Sequence, residues 1–322
     1  MLTPASDSSI AAAAALLRDG ECVAFPTETV YGLGADATNA RAVARIFSIK
    51  QRPSFDPLIV HVADAAAIAE FATDVPPLAR ALADALWPGP VTIVLPKRDV
   101  IPDIVTAGLP SVALRVPDHP VALALIRRAS RPIAAPSANP FGYVSPTCAE
   151  HVESHLGGLV PLILDGGPCR VGLESTIVSF SSGMPTLLRQ GGVPQEVIED
   201  IVGPLVVLDR DGPIQAPGHL PSHYAPRVPL SVITAAAVVP VVDRHHAALL
   251  SIGPISNSAE FERVVILSPT GDLEESAANL FAAMRDLDAA GVAHIYAIAP
   301  PLRGIGRAIA DRLQRAASRD KL

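Results

Sequence analysis

Short runs of Val, Ile and Leu alternate with Ala-rich stretches of helical length over the first two hundred residues of this chain. That rhythm predicts an α/β fold, with helices packed on a parallel or mixed sheet whose central strands are buried on both faces. Strands are expected at residues 21–25, 58–62, 91–95, 112–116, 133–135, 162–164 and 176–180. Helices are expected near 40–49, 65–71, 77–86, 120–129, 147–156 and 194–201. Several begin with proline or a small polar residue, which suits the unpaired amides of a first turn. The opening MLTPASDSSIAAAAALLRDG has no positive charge ahead of its apolar run. It reads as an amphipathic helix capped by Ser or Asp and ended at Gly20, not as a signal peptide.

A proline-rich stretch then breaks the pattern. Residues 211–229, DGPIQAPGHLPSHYAPRVP, carry prolines at 213, 217, 221, 226 and 229, which forbid a regular helix or central strand and favour extended backbone. At 322 residues the chain is long for one core. The expected division is a catalytic domain over 1–208, a stiff interdomain linker over 209–229 and a smaller Rossmann-like α/β domain over 230–322. In the last of these, strands are expected at 230–233, 248–252, 264–267 and 292–298, and helices at 272–290 and 304–317. Hydrophobic residues make up 49% but aromatics only 4%, so both cores must rest on Ala, Val, Leu and Ile. Lys and Arg number 25 against 32 Asp and Glu, a formal charge of −7, which argues against a generally basic nucleic-acid binder. Cys22, Cys148 and Cys169 have neither metal-type spacing nor an even number, as in a reducing cytosol. No apolar stretch approaches the roughly 20 residues that span a bilayer. A soluble, cytoplasmic protein is expected.

Four segments place unusual residues at strand ends, where α/β sheets expose their functional loops. PTETVYGLG (26–34) offers hydroxyls at Thr27 and Thr29, and glycines at 32 and 34 that allow tight turns. KQRPSFDPLIVH (50–61) puts Lys50 and Arg52 at the end of a helix. Capping of the helix dipole and a polyphosphate clamp both account for that pair. LRVP (114–117) and IAAPSANPFG (133–142) pair Arg115 with Ser137 and Asn139, whose spacing in an extended segment puts them on one face. ESTIVSF (174–180) and TLLRQGG (186–192) add Ser175 and Arg189. Together they describe a cleft rich in hydroxyls and arginines, with neither a Ser–His–Asp order nor a metal cluster. His151 and His155, four apart on a helix, lack a third ligand and read as a solvated face. Residues 243–246, Asp-Arg-His-His, read as a solvated turn, and Glu274 and Glu275 as complements to a helix dipole.

Taken in order, PTETVYGLG, the Lys-x-Arg-Pro segment with PLIVH, the Arg-x-Pro, PSAN, ESTIV and LRQG resemble the YrdC-type threonylcarbamoyl-AMP synthases. With the His223-Tyr224-Ala225-Pro226 strap and the ending GIGRAIADRLQRAA, the chain resembles the long two-domain form. The resemblance implies a large twisted open sheet around a cationic cavity. It also implies a nucleotidyltransferase reaction in which L-threonine and bicarbonate form a carboxylate that attacks the α-phosphorus of ATP and releases pyrophosphate. The product would pass to a downstream threonylcarbamoyl transferase complex that modifies tRNA, the contact with tRNA being indirect. Residue by residue, the catalytic group is Lys50, Arg52, Ser137 and Asn139. ATP contacts fall on Arg52, Asp56, Ser111, Ser137, Ser145, Arg189 and Tyr224. Threonine contacts fall on Thr29, His61, Arg115, Ala135 and Ser175. Mg²⁺ is expected with ATP, held mostly by phosphate and water.

One position departs from the family, which usually has asparagine where this chain has Asp56. A carboxylate accepts hydrogen bonds but donates none, and it repels phosphate. The stiff strap, crossing the cleft, would lay Tyr224 near the nucleotide and exclude water. A reading in another class, a non-catalytic RNA-binding module, is opposed by the net negative charge and few aromatics. A carbamoyltransferase of metalloenzyme maturation would need zinc-binding cysteines, which are absent from the sequence.

Overall fold

The computed structural model describes residues 1–207, 223–256 and 258–318, so most of the expected linker lies outside the described residues. Two sheets organise it. The larger has eleven strands: β1 (Leu2–Pro4), β2 (Val23–Phe25), β3 (Gly32–Asp36), β4 (Ile59–His61), β5 (Val91–Pro96), β6 (Ser111–Arg115), β7 (Ile133–Ala134), β8 (Leu162–Asp165), β9 (Thr176–Ser179), β10 (Thr186–Arg189) and β11 (Val206–Val207). They lie in the order β1-β8-β2-β3-β7-β4-β6-β5-β9-β10-β11, a mixed sheet in which β4 runs parallel to β6 and antiparallel to β7. Its helices are α1 (Asp7–Arg18), α2 (Ala40–Lys50), α3 (Ile68–Phe71), α4 (Pro77–Leu86), α5 (Asp103–Thr106), α6 (Pro120–Ala129), α7 (Ala149–Leu156) and α8 (Gln195–Val202). The smaller sheet is wholly parallel, in the order β12 (Leu230–Ile233), β15 (His294–Ile298), β13 (Ala247–Ser251) and β14 (Arg263–Ile266). With it go α9 (Val241–Arg244), α10 (Leu273–Ala289) and α11 (Gly306–Ala317). Among the described residues no helix is long and apolar enough to cross a membrane.

Local chemistry sets the boundaries that matter for the site. Ser6 caps α1 through a reciprocal pair with Ser9, and Asn39 caps α2 by accepting from the amides of Arg41 and Ala42. Gln51 ends α2 in the left-handed region (φ 52°), which turns the chain so that Lys50 and Arg52 point back toward the sheet. In β10 a bulge makes Leu187 and Arg189 face the consecutive residues Val178 and Ile177 of β9, re-aiming Arg189.

Several expectations are corrected. Gly32 and Gly34 lie in strand β3, not in turns. A Cβ on Gly34 would come within 2.6 Å of the Phe25 ring and 2.7 Å of Ile133, so close packing is the reason for glycine there. The stretch 65–71 is a 3-10 turn capped by Asp64, followed by the single turn α3. His151 and His155 are half-buried, His155 lying tilted against the Tyr143 ring beside Arg285 of α10. Arg244, expected in a solvated turn, ends α9 and is buried, donating to the carbonyls of Val239 and Ala236.

The two sheets share a core. Val30, Val144, Leu173 and Tyr224 pack into the cluster that α10, α11 and the smaller sheet build from Leu280, Phe281, Met284 and Ile309. At Gly172 (φ 70°) a Cβ would stand 2.5 Å from the backbone of Ala278 in α10, so this seam admits only glycine.

Candidate active site

The site lies on one face of the larger sheet's central strands. Cross-strand partners Ile59, Ala113, Val94 and Ser179 share that face, and the two-residue period adds His61, Arg115, Ser111 and Pro96. At the carboxyl ends of β4 and β6, a hollow of about 50 Å³ is lined by Thr29, Arg52, His61, Arg115, Ala135, Ser137, Ser175, Arg189 and Tyr224, with Glu174 and His223. Down the same face, a second hollow of about 360 Å³ is lined by Val94, Pro96, Ser111, Ser179 and Ser181. An apolar floor of Ile59, Val94, Ala113, Ile177 and Leu188 joins them. From Arg115 to Ser111 along β6 is about 13 Å.

Arg115 is 3% exposed and fixed on three sides. Its Nε donates to the Gly89 carbonyl at 3.3 Å and an Nη donates to Thr29 Oγ1 at 3.0 Å. Its other Nη lies 2.7 Å from the buried Glu28 carboxylate, off the hydrogen-bond axis. Thr29 Oγ1 in turn contacts Thr27 Oγ1, which donates to the Val30 carbonyl. His61 Nδ1 faces the Ile133 carbonyl at 3.3 Å, so the proton sits on Nδ1 and Nε2 is left as an acceptor. Burial and the neighbouring Arg115 hold His61 down to about 3, so it is neutral at physiological pH. Ser175 Oγ is fixed by Thr92 Oγ1 at 2.7 Å and by Arg189 at 3.1 Å.

The cationic side is layered. Arg52 lines the first hollow, donating to the carbonyls of Asp56 and Pro57 and pairing with the Asp56 carboxylate at 2.8 Å. Burial pushes Asp56 up, against the opposing pull of Arg52, Lys50 and Arg189, and neither of its oxygens has an aligned donor among the described residues. Lys50 does not reach the lining. Its ammonium donates at 2.5 Å to the carbonyls of Ser137 and Asn139, and burial, with Arg52 adding, draws it well below its usual range. That geometry matches neither dipole capping nor a direct phosphate clamp; Lys50 tethers the PSAN loop. Asn139 likewise turns inward, donating to the Pro140 and Tyr143 carbonyls, so Ser137 and Asn139 do not share the cavity face. Ser145 is buried behind Glu174, and Ser111 belongs to the second hollow.

Sequence reasoning passed over Glu28, Glu174 and Arg312. Glu28 and Glu174 each stand directly beside a hydroxyl residue that was singled out, and a lone carboxylate among strand-end hydroxyls was the available signal. Arg312 sits 0% exposed on α11, where it pairs with Asp311 and Glu174.

Residues 15–191 match the Sua5_yciO_yrdC family, described as "Telomere recombination", and residues 193–318 match Sua5_C, described as the threonylcarbamoyl-AMP synthase C-terminal domain. A threonylcarbamoyl-AMP synthase of Bacillus subtilis is 43% identical over 97% of this chain and 94% of its own length. One of Pyrococcus abyssi is 42% identical over 94% of this chain and 92% of its own. The crystal structure of P. abyssi Sua5 complexed with L-threonine superposes with a TM-score of 0.91 at 39% identity, covering 98% of this chain and 96% of that one.

Proposed function

Because the chain belongs to the Sua5, YciO and YrdC family and carries the Sua5 C-terminal domain, we propose that it is an L-threonylcarbamoyladenylate synthase, joining L-threonine, bicarbonate and ATP with release of pyrophosphate. The observation that carries the reading is the pair of hollows on one sheet face, a small end lined by arginines and hydroxyls and a larger end, with Arg115 and Ser111 about 13 Å apart along β6. The first is too small for a whole nucleotide. ATP therefore lays its base and ribose over Ser111 and Ser179, and its phosphates toward Arg52, Ser137 and Arg189.

Arg115 pairs with the threonine carboxylate, because a guanidinium held on three sides offers its remaining edge in one orientation. His61 Nε2 accepts from the substrate amine or hydroxyl; being too weak a base to keep a proton at neutral pH, it orients rather than titrates. Thr29, Ser175 and the Ala135 carbonyl complete that end. The amine condenses with bicarbonate and loses water, and an oxygen of the new carbamate attacks the α-phosphorus. The bond to the β-phosphate breaks and pyrophosphate leaves. Charge building on the phosphates is offset by Arg52 and Arg189, while Lys50 and Asn139 hold the loop that presents Ser137. Mg²⁺ would travel with the nucleotide. No group of three or more His, Cys, Asp or Glu among the described residues is placed to hold a metal, so phosphate and water would supply most ligands.

A cytoplasmic setting, a downstream transferase and a tRNA end product belong to the same proposal. The RNA-binding alternative is opposed by the burial of Arg52, Arg115 and Arg189, each under 9% exposed and out of reach of a nucleic-acid backbone. Pyrophosphate release should require ATP, threonine and bicarbonate together, with threonylcarbamoyl-AMP detected by mass spectrometry. Release of pyrophosphate that is independent of threonine would overturn the reading.

A further inference from the structure

Glu174 is an anomaly in a hollow whose other charged side chains are arginines and whose proposed guest is a polyphosphate. Its carboxylate does two jobs at the wall. Oε1 accepts from Ser145 Oγ at 2.5 Å, and its own carbonyl accepts from the Gly192 amide at 3.0 Å, which fixes the chain at Ser175. Oε2 accepts from Arg312 Nε at 2.8 Å. Arg312 comes from α11 of the smaller unit, is 0% exposed, and is held from behind by Asp311 at 2.8 Å. Its guanidinium carbon lies 5.1 Å from the centre of the Tyr224 ring, which also stacks on Phe281 of α10 and meets the His223 ring edge-on. One guanidinium thus touches the acid of the cavity wall and the tyrosine that lines it, and the contact with Glu174 crosses between the two units.

Building on the proposed function, we infer that Arg312 is a positioning residue of the active site. It neutralises Glu174 from the far side, so that this carboxylate can hold Ser145 and Ser175 in place without opposing the nucleotide's phosphates. The smaller unit is then a working wall of the site. A carboxylate at that place without its cation would repel the phosphates and would lose the donor that orients it.

The inference predicts different kinetic effects for the two partners. Arg312→Gln should raise the ATP KM at least tenfold, with a smaller change in the threonine KM. Glu174→Gln should leave the ATP KM within threefold and lower kcat instead. The double variant should return the ATP KM to within threefold of the parent value, because the repelling charge is gone. A purely structural bridge would lower the active fraction in each variant and leave both KM values where they were. An unchanged ATP KM in folded Arg312→Gln, or a double variant no better than that single one, overturns the inference. Should Arg312→Gln not fold, Arg312→Lys with and without Glu174→Gln gives the same comparison, with a smaller rise that the second change must still remove. A parent enzyme that shows no threonine-dependent pyrophosphate release would instead overturn the proposed reaction, so the two failures are separate.

Discussion

Single residues in this site are defined by what burial does to their charge. The folded chain holds the His61 imidazole down to about 3, against an ordinary value of 6.5. Between those values the unfolded chain takes up a proton that the folded chain refuses, so stability is lost as pH falls below about 6.5 and levels off near 3. His61 alone should lower stability by about 2 kcal/mol between pH 7 and pH 5. His151, held down to about 4 by burial, acts in the same direction. Urea unfolding at the two pH values tests this: His61→Asn should shrink the difference, and an unaltered difference would count against the assignment. Glu28 is the second such residue. Glu28→Ala leaves the Arg115 guanidinium buried without its counter-charge, and should destabilise the fold by roughly 3 kcal/mol and raise the threonine KM more than the ATP KM. Equal changes in both would mean Glu28 serves only the fold. Asp56→Asn restores a donor at a position where neither carboxylate oxygen has one aligned, and should lower the ATP KM in steady-state assays. A raised value would show that the charge itself is used.

Elements were legible where their ends carry chemistry. Helices α4 and α6 run over 77–86 and 120–129 as expected, because each opens on proline, and α4 stops at Trp87-Pro88-Gly89 while α6 stops at Ser130 in the left-handed region. Strand β3 was missed because GLGAD has no β-branched residue; its place in the sheet comes from glycines that let Phe25 and Ile133 close over it. Strands β1 and β11, three and two residues long, are too short for any alternation to register. Site residues followed a similar rule. Arg115 and Ser175 stand out because strand ends are where such side chains gather, and both line the hollow; His61, by itself a structural strand-end histidine, enters through the family resemblance, and the inward turn of Lys50 and Asn139 depends on tertiary contacts that the pattern does not encode. Tyr224→Ala removes the ring between Arg312 and Phe281 and should speed hydrolysis of the product, read as AMP formed per pyrophosphate; an unchanged ratio would discard its role as a cover.

At the scale of the whole molecule, two α/β units were legible from composition and periodicity, but their union was not. Periodicity shows which side of an element is apolar and says nothing about what covers it. Here Val30, Val144, Leu173 and Tyr224 are covered by helices that lie more than a hundred residues away from Val30 and Val144 in the chain. At Gly172 that seam leaves no room for a side chain against Ala278. Because the smaller unit's main core is completed by side chains of the larger one, heat should melt the protein in one calorimetric step. Gly172→Val, which wedges the seam, should split that step in two, and a second peak in the parent would contradict the prediction. An inhibitor lodged at the seam would then work as a wedge, silencing the enzyme by loosening its wall without ever competing with either substrate.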